Sequence, residues 1–241
     1  IVFMSLASYT RQYYVIFFPY LILNILLHNK FKNLFFLSTI LITLSIPGIY
    51  YLINNPKLFY GLKMEVTDFK SSILVVLSIV SFYLIPFFLI NLRKNLSNLK
   101  NILSGKVLYL FITSCLILFY LCLNFKYESS IGGGIFYKTS LLIGNNLIFF
   151  LSSYIGLILI IYFTKFRIDN VLLIILIIFS FSSGIYIFQK YFEPLIYFLL
   201  LFILIDKKYI MLIKNFNFLI FYFITYWMVY FLYAKILIKI F

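Results

Sequence analysis

The residues best suited to chemistry cluster in a few short segments. The first is Ser8-Tyr-Thr-Arg-Gln-Tyr-Tyr-Val-Ile-Phe-Phe-Pro19, in which Arg11 and Gln12 open an apolar run and Tyr13 and Tyr14 follow at once. An arginine at the mouth of a membrane helix is costly to bury, by roughly 2.5–3.5 kcal/mol at a helix centre, and needs a partner. A phosphate fits its planar fork. The competing reading is a snorkelling arginine with the two tyrosines in an interfacial aromatic belt. The second segment, Gln189-Lys-Tyr-Phe-Glu-Pro194, carries the only charges between two long apolar runs. Lys190 and Glu193 are spaced to pair on one helical turn, or to face a cavity in which Lys190 meets an anionic ligand. Pro194 suits the first turn of the next helix.

Three further groups carry weaker signals. Gly132-Gly133-Gly134 permits unusual backbone angles. No lysine-containing phosphate loop follows it, so the run is either a flexible turn or a backbone nest for an anion. Lys138 lies nearby and suits a phosphate or a lipid headgroup. Glu65 and Asp68 share a helical turn, but Lys63 and Lys70 interleave with them, which reads as a solvated, self-neutralising face. His28 stands alone, and no cysteine, histidine or carboxylate set has metal-ligand spacing. A metal site is therefore not assigned, although a divalent ion assisting a phosphate is compatible with the pattern. Cys115 and Cys122 lie seven apart in one apolar run, two helical turns from one another and too far to bridge, so both read as core residues.

The elements that must position these groups are membrane helices. Of 241 residues, 65% are apolar and 11% charged, with a mean hydropathy of +1.11. A soluble domain carries about twice that charge. Apolar runs bounded by polar clusters predict an all-α, polytopic transmembrane helix bundle of about eight spans. These cover residues 12–27, 34–53, 72–91, 107–123, 146–163, 171–188, 191–205 and 216–234. Pro47-Gly48 and Pro86 are expected to break the spans that hold them. Runs such as 171–179 are apolar on every side, which excludes the alternating pattern of a membrane barrel. There is no internal repeat and no separate soluble unit, so residues 1–241 read as one transmembrane domain. Residue 1 is isoleucine and no signal peptide precedes the first run, so an N-terminal part is expected to be missing.

The net charge of +14 comes from dispersed basic residues rather than a nucleic-acid-binding patch. One set of alternate loops holds 11 basic residues and the other nine. The richer set (Lys30, Lys32, Arg93, Lys94, Lys100, Lys106, Lys165, Arg167, Lys207, Lys208 and Lys214) is read as cytoplasmic. Arg11, Gln12, the glycine run, Lys138, Gln189, Lys190 and Glu193 then fall on the opposite side. The two longest loops, about 54–71 and 124–145, also lie there, and each is long enough for an amphipathic interfacial helix.

An Arg-Gln pair opening one membrane helix and Lys190-Tyr-Phe-Glu-Pro194 opening a later one resemble the C-terminal part of multi-pass GT-C glycosyltransferases, most nearly the dolichyl-phosphate-glucose α-1,2-glucosyltransferase family. Arg11 and Gln12 match that pattern. Tyr13 and Tyr14 stand where the family has Thr-Asn, and Tyr191 to Pro194 match its acidic-aromatic-proline stretch in character. The resemblance rests on roughly ten residues at two sites. It implies a GT-C-like fold in the bacterial inner membrane or the endoplasmic reticulum. It also implies transfer of a sugar from a polyprenyl-phosphate donor at the extracytoplasmic face. In the family the base is a carboxylate in an N-terminal outer loop, upstream of this sequence. Arg11, Lys190 and Lys138 would then hold the donor phosphate, and Gln12, Tyr13, Tyr14 and Glu193 would orient the substrate. Two other functions fit the same composition: a transporter, flippase or polymerase of lipid-linked glycans, and a noncatalytic membrane subunit. Membrane lipid is a partner in every case, and nucleic acid in none.

Overall fold

The computed structural model describes residues 69–90, 92–102, 105–127, 132–164 and 216–240, together with scattered positions between 35 and 54 and between 171 and 192. Among the described residues the chain is all-helical, with six helices and no strand. They are α1 (Phe69–Leu89), α2 (Leu92–Ile102), α3 (Lys106–Leu123), α4 (Gly134–Ile143), α5 (Leu147–Thr164) and α6 (Phe216–Ile240). Four of the eight expected spans coincide with α1, α3, α5 and α6, with ends displaced by up to six residues. The described positions between 35 and 54 are helical too, as expected for the run at 34–53, and Pro47 is one of them. Pro86 does not break α1. It lies in the last turn, where its carbonyl still accepts the Ile90 N–H at 3.2 Å.

Two of these helices, α1 and α5, are long and apolar enough to cross a membrane. They form the centre of the described helices. Leu74, Val75, Val76 and Phe149 are wholly buried between them and their neighbours. Close approach is possible because α5 presents Ser152, Ser153 and Gly156 toward α1, a small-residue stripe that lets two backbones meet. The Ser153 hydroxyl donates across the seam to the Leu74 carbonyl at 2.9 Å. Gly156 rests directly against the Leu77 carbonyl, without room for a Cβ.

The residue pairs show how the helices run. Ser153 meets Leu74, Gly156 meets Leu77, and the Tyr162 ring packs edge-on against Phe88 at 5.1 Å. Both partners advance together, so α1 and α5 are parallel. The chain must cross back between them, and α3 does so. It ends beside the start of α1, where the Lys126 N–H donates to the Ser71 hydroxyl at 2.9 Å. The connections from α1 to α3 and from α3 to α5 thus lie at opposite ends. The sixth helix closes one flank. The Tyr222 hydroxyl donates to the Phe82 carbonyl at 3.0 Å, and the Phe82 ring lies among those of Tyr222, Phe223 and Tyr226.

At the end remote from Ser71, α2 is fastened by one buried amide. Asn95 donates to the Phe88 carbonyl at 2.6 Å and accepts from the Tyr162 hydroxyl at 2.6 Å. It therefore joins α2 to both central helices. Asn95→Ala removes the donor to the Phe88 carbonyl and the acceptor of the Tyr162 hydroxyl, so it should lower stability by about 2 kcal/mol. Tyr162→Phe should cost about half of that. Thermal unfolding of the purified variants reads both effects, and equal melting temperatures for wild type and Asn95→Ala would contradict this role.

Candidate functional site

The connection from α3 to α5 contains the feature most relevant to function. It starts beside Ser71 and returns to the same end, because α5 begins two turns before Ser153 meets Leu74. Yet Gly134 lies against Ile79, where a Cβ would come within 2.6 Å of its side chain. Ile79 is eight residues beyond Ser71, about 12 Å deeper at 1.5 Å per residue, and marks the middle of α1. The connection therefore dips to mid-depth, with the glycines at its tip, and α4 carries it back out. The Tyr137 hydroxyl ties the two limbs by donating to the Tyr127 carbonyl at 2.6 Å. The Ser140 hydroxyl accepts the Phe149 N–H at 3.0 Å, which fixes α4 to α5. The length of this loop leaves room for an amphipathic surface helix. A helix is present but apolar, and Tyr137 and Ser140 are buried.

Gly132, Gly133 and Gly134 have φ of 89°, 82° and 75°, a left-handed run that other residues rarely adopt. The run is not a loose turn, because the Gly133 N–H donates to the Ile187 carbonyl at 2.8 Å. Nor is it an open anion nest, because the Ile135 N–H donates to the Gln189 side-chain oxygen at 2.9 Å. The glycines serve instead to let two stretches of backbone touch deep in the bundle.

The second stretch is the start of the Gln189-to-Pro194 segment. Described positions 171, 174, 175, 178 and 182 are helical, but Ile187 is not and Gln189 lies in a single tight turn. The Tyr83 hydroxyl donates to the Gln189 carbonyl at 3.3 Å, and the Phe192 N–H donates to the same oxygen at 3.0 Å. Ile187, Gln189 and Phe192 are all buried. Loop sorting by charge puts this segment at the outer mouth. Its first residues lie instead about halfway down α1, because the hairpin tip and Tyr83 supply the polar partners that an unwound backbone needs there.

Gln189 is the most informative side chain. The Ile135 N–H can face only an oxygen, so the amide orientation is set and its NH₂ points the other way. That NH₂ is buried and meets no hydrogen-bond partner among the described residues. A buried donor left in this state costs about 1–3 kcal/mol, and such groups often mark a place where a ligand completes the set. Lys138 sits one turn from Gly134 on α4 and is half-buried.

Of the residues expected to form the site, Lys138 alone is described. Arg11, Gln12, Tyr13, Tyr14, Lys190 and Glu193 lie outside the described residues. Nothing in the sequence joins Gln189, Tyr83 and the hairpin tip as a unit. Its signals for them are a glycine run and a glutamine beside Lys190 at the end of an apolar run. Cys115 and Cys122 are both free thiols, in keeping with their spacing. The chain matches no protein-family model, no curated protein and no solved structure.

Proposed function

We propose that the chain is a multi-pass integral membrane protein with a GT-C-like bundle, and that it moves a sugar from a polyprenyl-phosphate donor to an acceptor at the extracytoplasmic face. The observation that carries this reading is Gln189. Gln189, immediately before the Lys190-to-Pro194 stretch that resembles the family, is a buried amide whose NH₂ meets no hydrogen-bond partner among the described residues, next to an inward-turning hairpin. A polar group held ready among apolar helices suits a ligand with an apolar tail and a hydroxyl-rich or anionic head.

In this reading the donor's tail lies in lipid and its sugar phosphate enters the bundle. An acceptor hydroxyl oxygen attacks the anomeric carbon, and the bond from that carbon to the phosphate oxygen breaks. The polyprenyl phosphate leaves with the electron pair, and the hydroxyl proton passes to a carboxylate base, which the resemblance places upstream. Negative charge grows on the departing phosphate, and positioned cations stabilise it most strongly where water is scarce. Arg11, Lys190 and Lys138 are assigned that work. Gln12, Tyr13, Tyr14 and Glu193 orient sugar and phosphate oxygens. Arg11→Ala should reduce transfer from a polyprenyl-phosphate sugar by about 100-fold, with unchanged recovery in the membrane fraction. Undiminished transfer would remove the assignment.

One observation favours a second reading. A re-entrant hairpin that meets an unwound segment at mid-depth is a device of transporters, which bind substrate where helices are interrupted. The two readings separate in one preparation. Vesicles containing the full chain and a labelled polyprenyl-phosphate sugar would yield a glycosylated product for a transferase. For a flippase, label would cross the bilayer without covalent change.

A further inference from the structure

The connection between α1 and α3 has the charge of a plain basic loop, but it forms an amphipathic helix with an uncovered face. Asn95, Leu99 and Ile102 turn toward the bundle, Asn95 deeply and the other two in part. Leu92 and Leu96 lie beside that buried stripe, four residues apart, and are 43% and 49% exposed. Next around the helix come Arg93 and Lys100, and Lys94 lies farther along the outer face, all three exposed. The helix contains no acidic residue. Reading outward, one surface passes from buried contact through leucine to cation.

We propose that α2 is an interfacial anchor that binds the anionic lipid headgroups of the cytoplasmic leaflet. This rests on the membrane reading above and is independent of the transferase assignment. The order of residues matches a helix lying in the plane of a bilayer surface, with leucines at the acyl boundary and basic groups at the phosphates. The charge complementarity is one-sided, since three cations are offered without a neighbouring carboxylate on the helix. Asn95 holds the helix at the ends of α1 and α5, where the boundary between lipid and water would fall if those helices span. Basic groups in that position gain from the negative surface potential of the inner leaflet. A soluble polyanion would recognise the cations but would leave Leu92 and Leu96 in water.

The test uses the full chain in lipid nanodiscs of phosphatidylcholine alone or with about a third phosphatidylglycerol. The anionic lipid should raise the melting temperature of the wild type by on the order of 5 °C. High salt should abolish that increment. The triple variant Arg93→Gln, Lys94→Gln, Lys100→Gln should melt with the wild type in phosphatidylcholine yet gain nothing from phosphatidylglycerol. The charge-conserving variant Arg93→Lys, Lys94→Arg, Lys100→Arg should keep the gain. Inorganic phosphate added to phosphatidylcholine discs should leave the wild type unchanged. An equal gain in the wild type and the glutamine variant, or a salt-insensitive gain, would overturn the proposal. A chain that stays in solution and never enters discs would overturn the membrane reading itself.

Discussion

Replacement of Gly156 by leucine is expected to destabilise the folded chain severely. A Cβ at this position overlaps the Leu77 carbonyl oxygen and would sit 3.3 Å from the Ser81 Cβ. The oxygen belongs to the backbone of α1, so no rotamer change relieves the overlap, and the two central helices must separate. Separation breaks the bond from Ser153 to Leu74 and opens the seam that buries Leu74, Leu77 and Phe149. Overpacking a core costs about 1–3 kcal/mol where side chains can adjust, and more where backbone must move. We expect a loss on the order of 3 kcal/mol or more, a large share of the roughly 5–15 kcal/mol available to a folded protein. Gly144→Ala supplies the contrast. Its φ is 71°, but a Cβ there meets nothing within 4 Å, so only the left-handed strain of about 1 kcal/mol remains. Size-exclusion profiles and thermal unfolding in detergent distinguish the two. A monodisperse Gly156→Leu variant with wild-type melting would refute the close-seam account.

Gly132→Ala is expected to spare the helical bundle but disable the site. The residue has φ 89°, and a Cβ would lie 2.8 Å from the Ile187 carbonyl oxygen and 3.3 Å from the same residue's backbone carbon and nitrogen. The left-handed strain contributes about 1–2 kcal/mol, and pushing the 187 segment away breaks the bond from the Gly133 N–H to Ile187 at 2.8 Å. Gln189 must then move with its neighbour, leaving the Ile135 N–H without an acceptor. The α1–α5 seam contains none of these groups and should stay closed. Hydrogen exchange followed by mass spectrometry should show faster exchange at 132–143 and at 187–192, with protection across 147–164 unchanged. Under the proposed function, transfer or transport of a polyprenyl-phosphate sugar should fall at least tenfold, because the Gln189 NH₂ would no longer have a fixed position. Normal exchange at both segments would show that the hairpin tip does not hold Gln189.

How much of the fold is legible in the residues depends on the range of the interaction involved. The apolar runs that form α1, α3, α5 and α6 are legible because each is a local property of about 20 consecutive side chains. The opposite placement of alternate loops is legible because consecutive spans must reverse direction. The free state of Cys115 and Cys122 follows from helical spacing alone. By contrast, the amphipathic pattern of α2 rests on Asn95, Leu99 and Ile102, a short stripe among basic residues that topology explains equally well. The break near Ile187 falls at the expected end of the run 171–188, after Ser182-Ser183-Gly184 and before Gln189-Lys190, but its depth along α1 is not legible, because it is set by contacts with the distant hairpin tip and Tyr83.

Composition and spacing suffice to show a chain more apolar than a soluble domain needs, and to predict the long helices found among the described residues. Hydrophobicity and helix length are summed over neighbours in sequence, so they can be read from it. Packing in three dimensions turns the connection from α3 to α5 inward, brings Gly132–Gly134 to Ile187 and Gln189, and sets Gly156 on Leu77. Those contacts join residues more than 50 positions apart. Each depends on steric fit and on where an unpaired backbone group can find its partner, and neither is written in the order of residues along one segment.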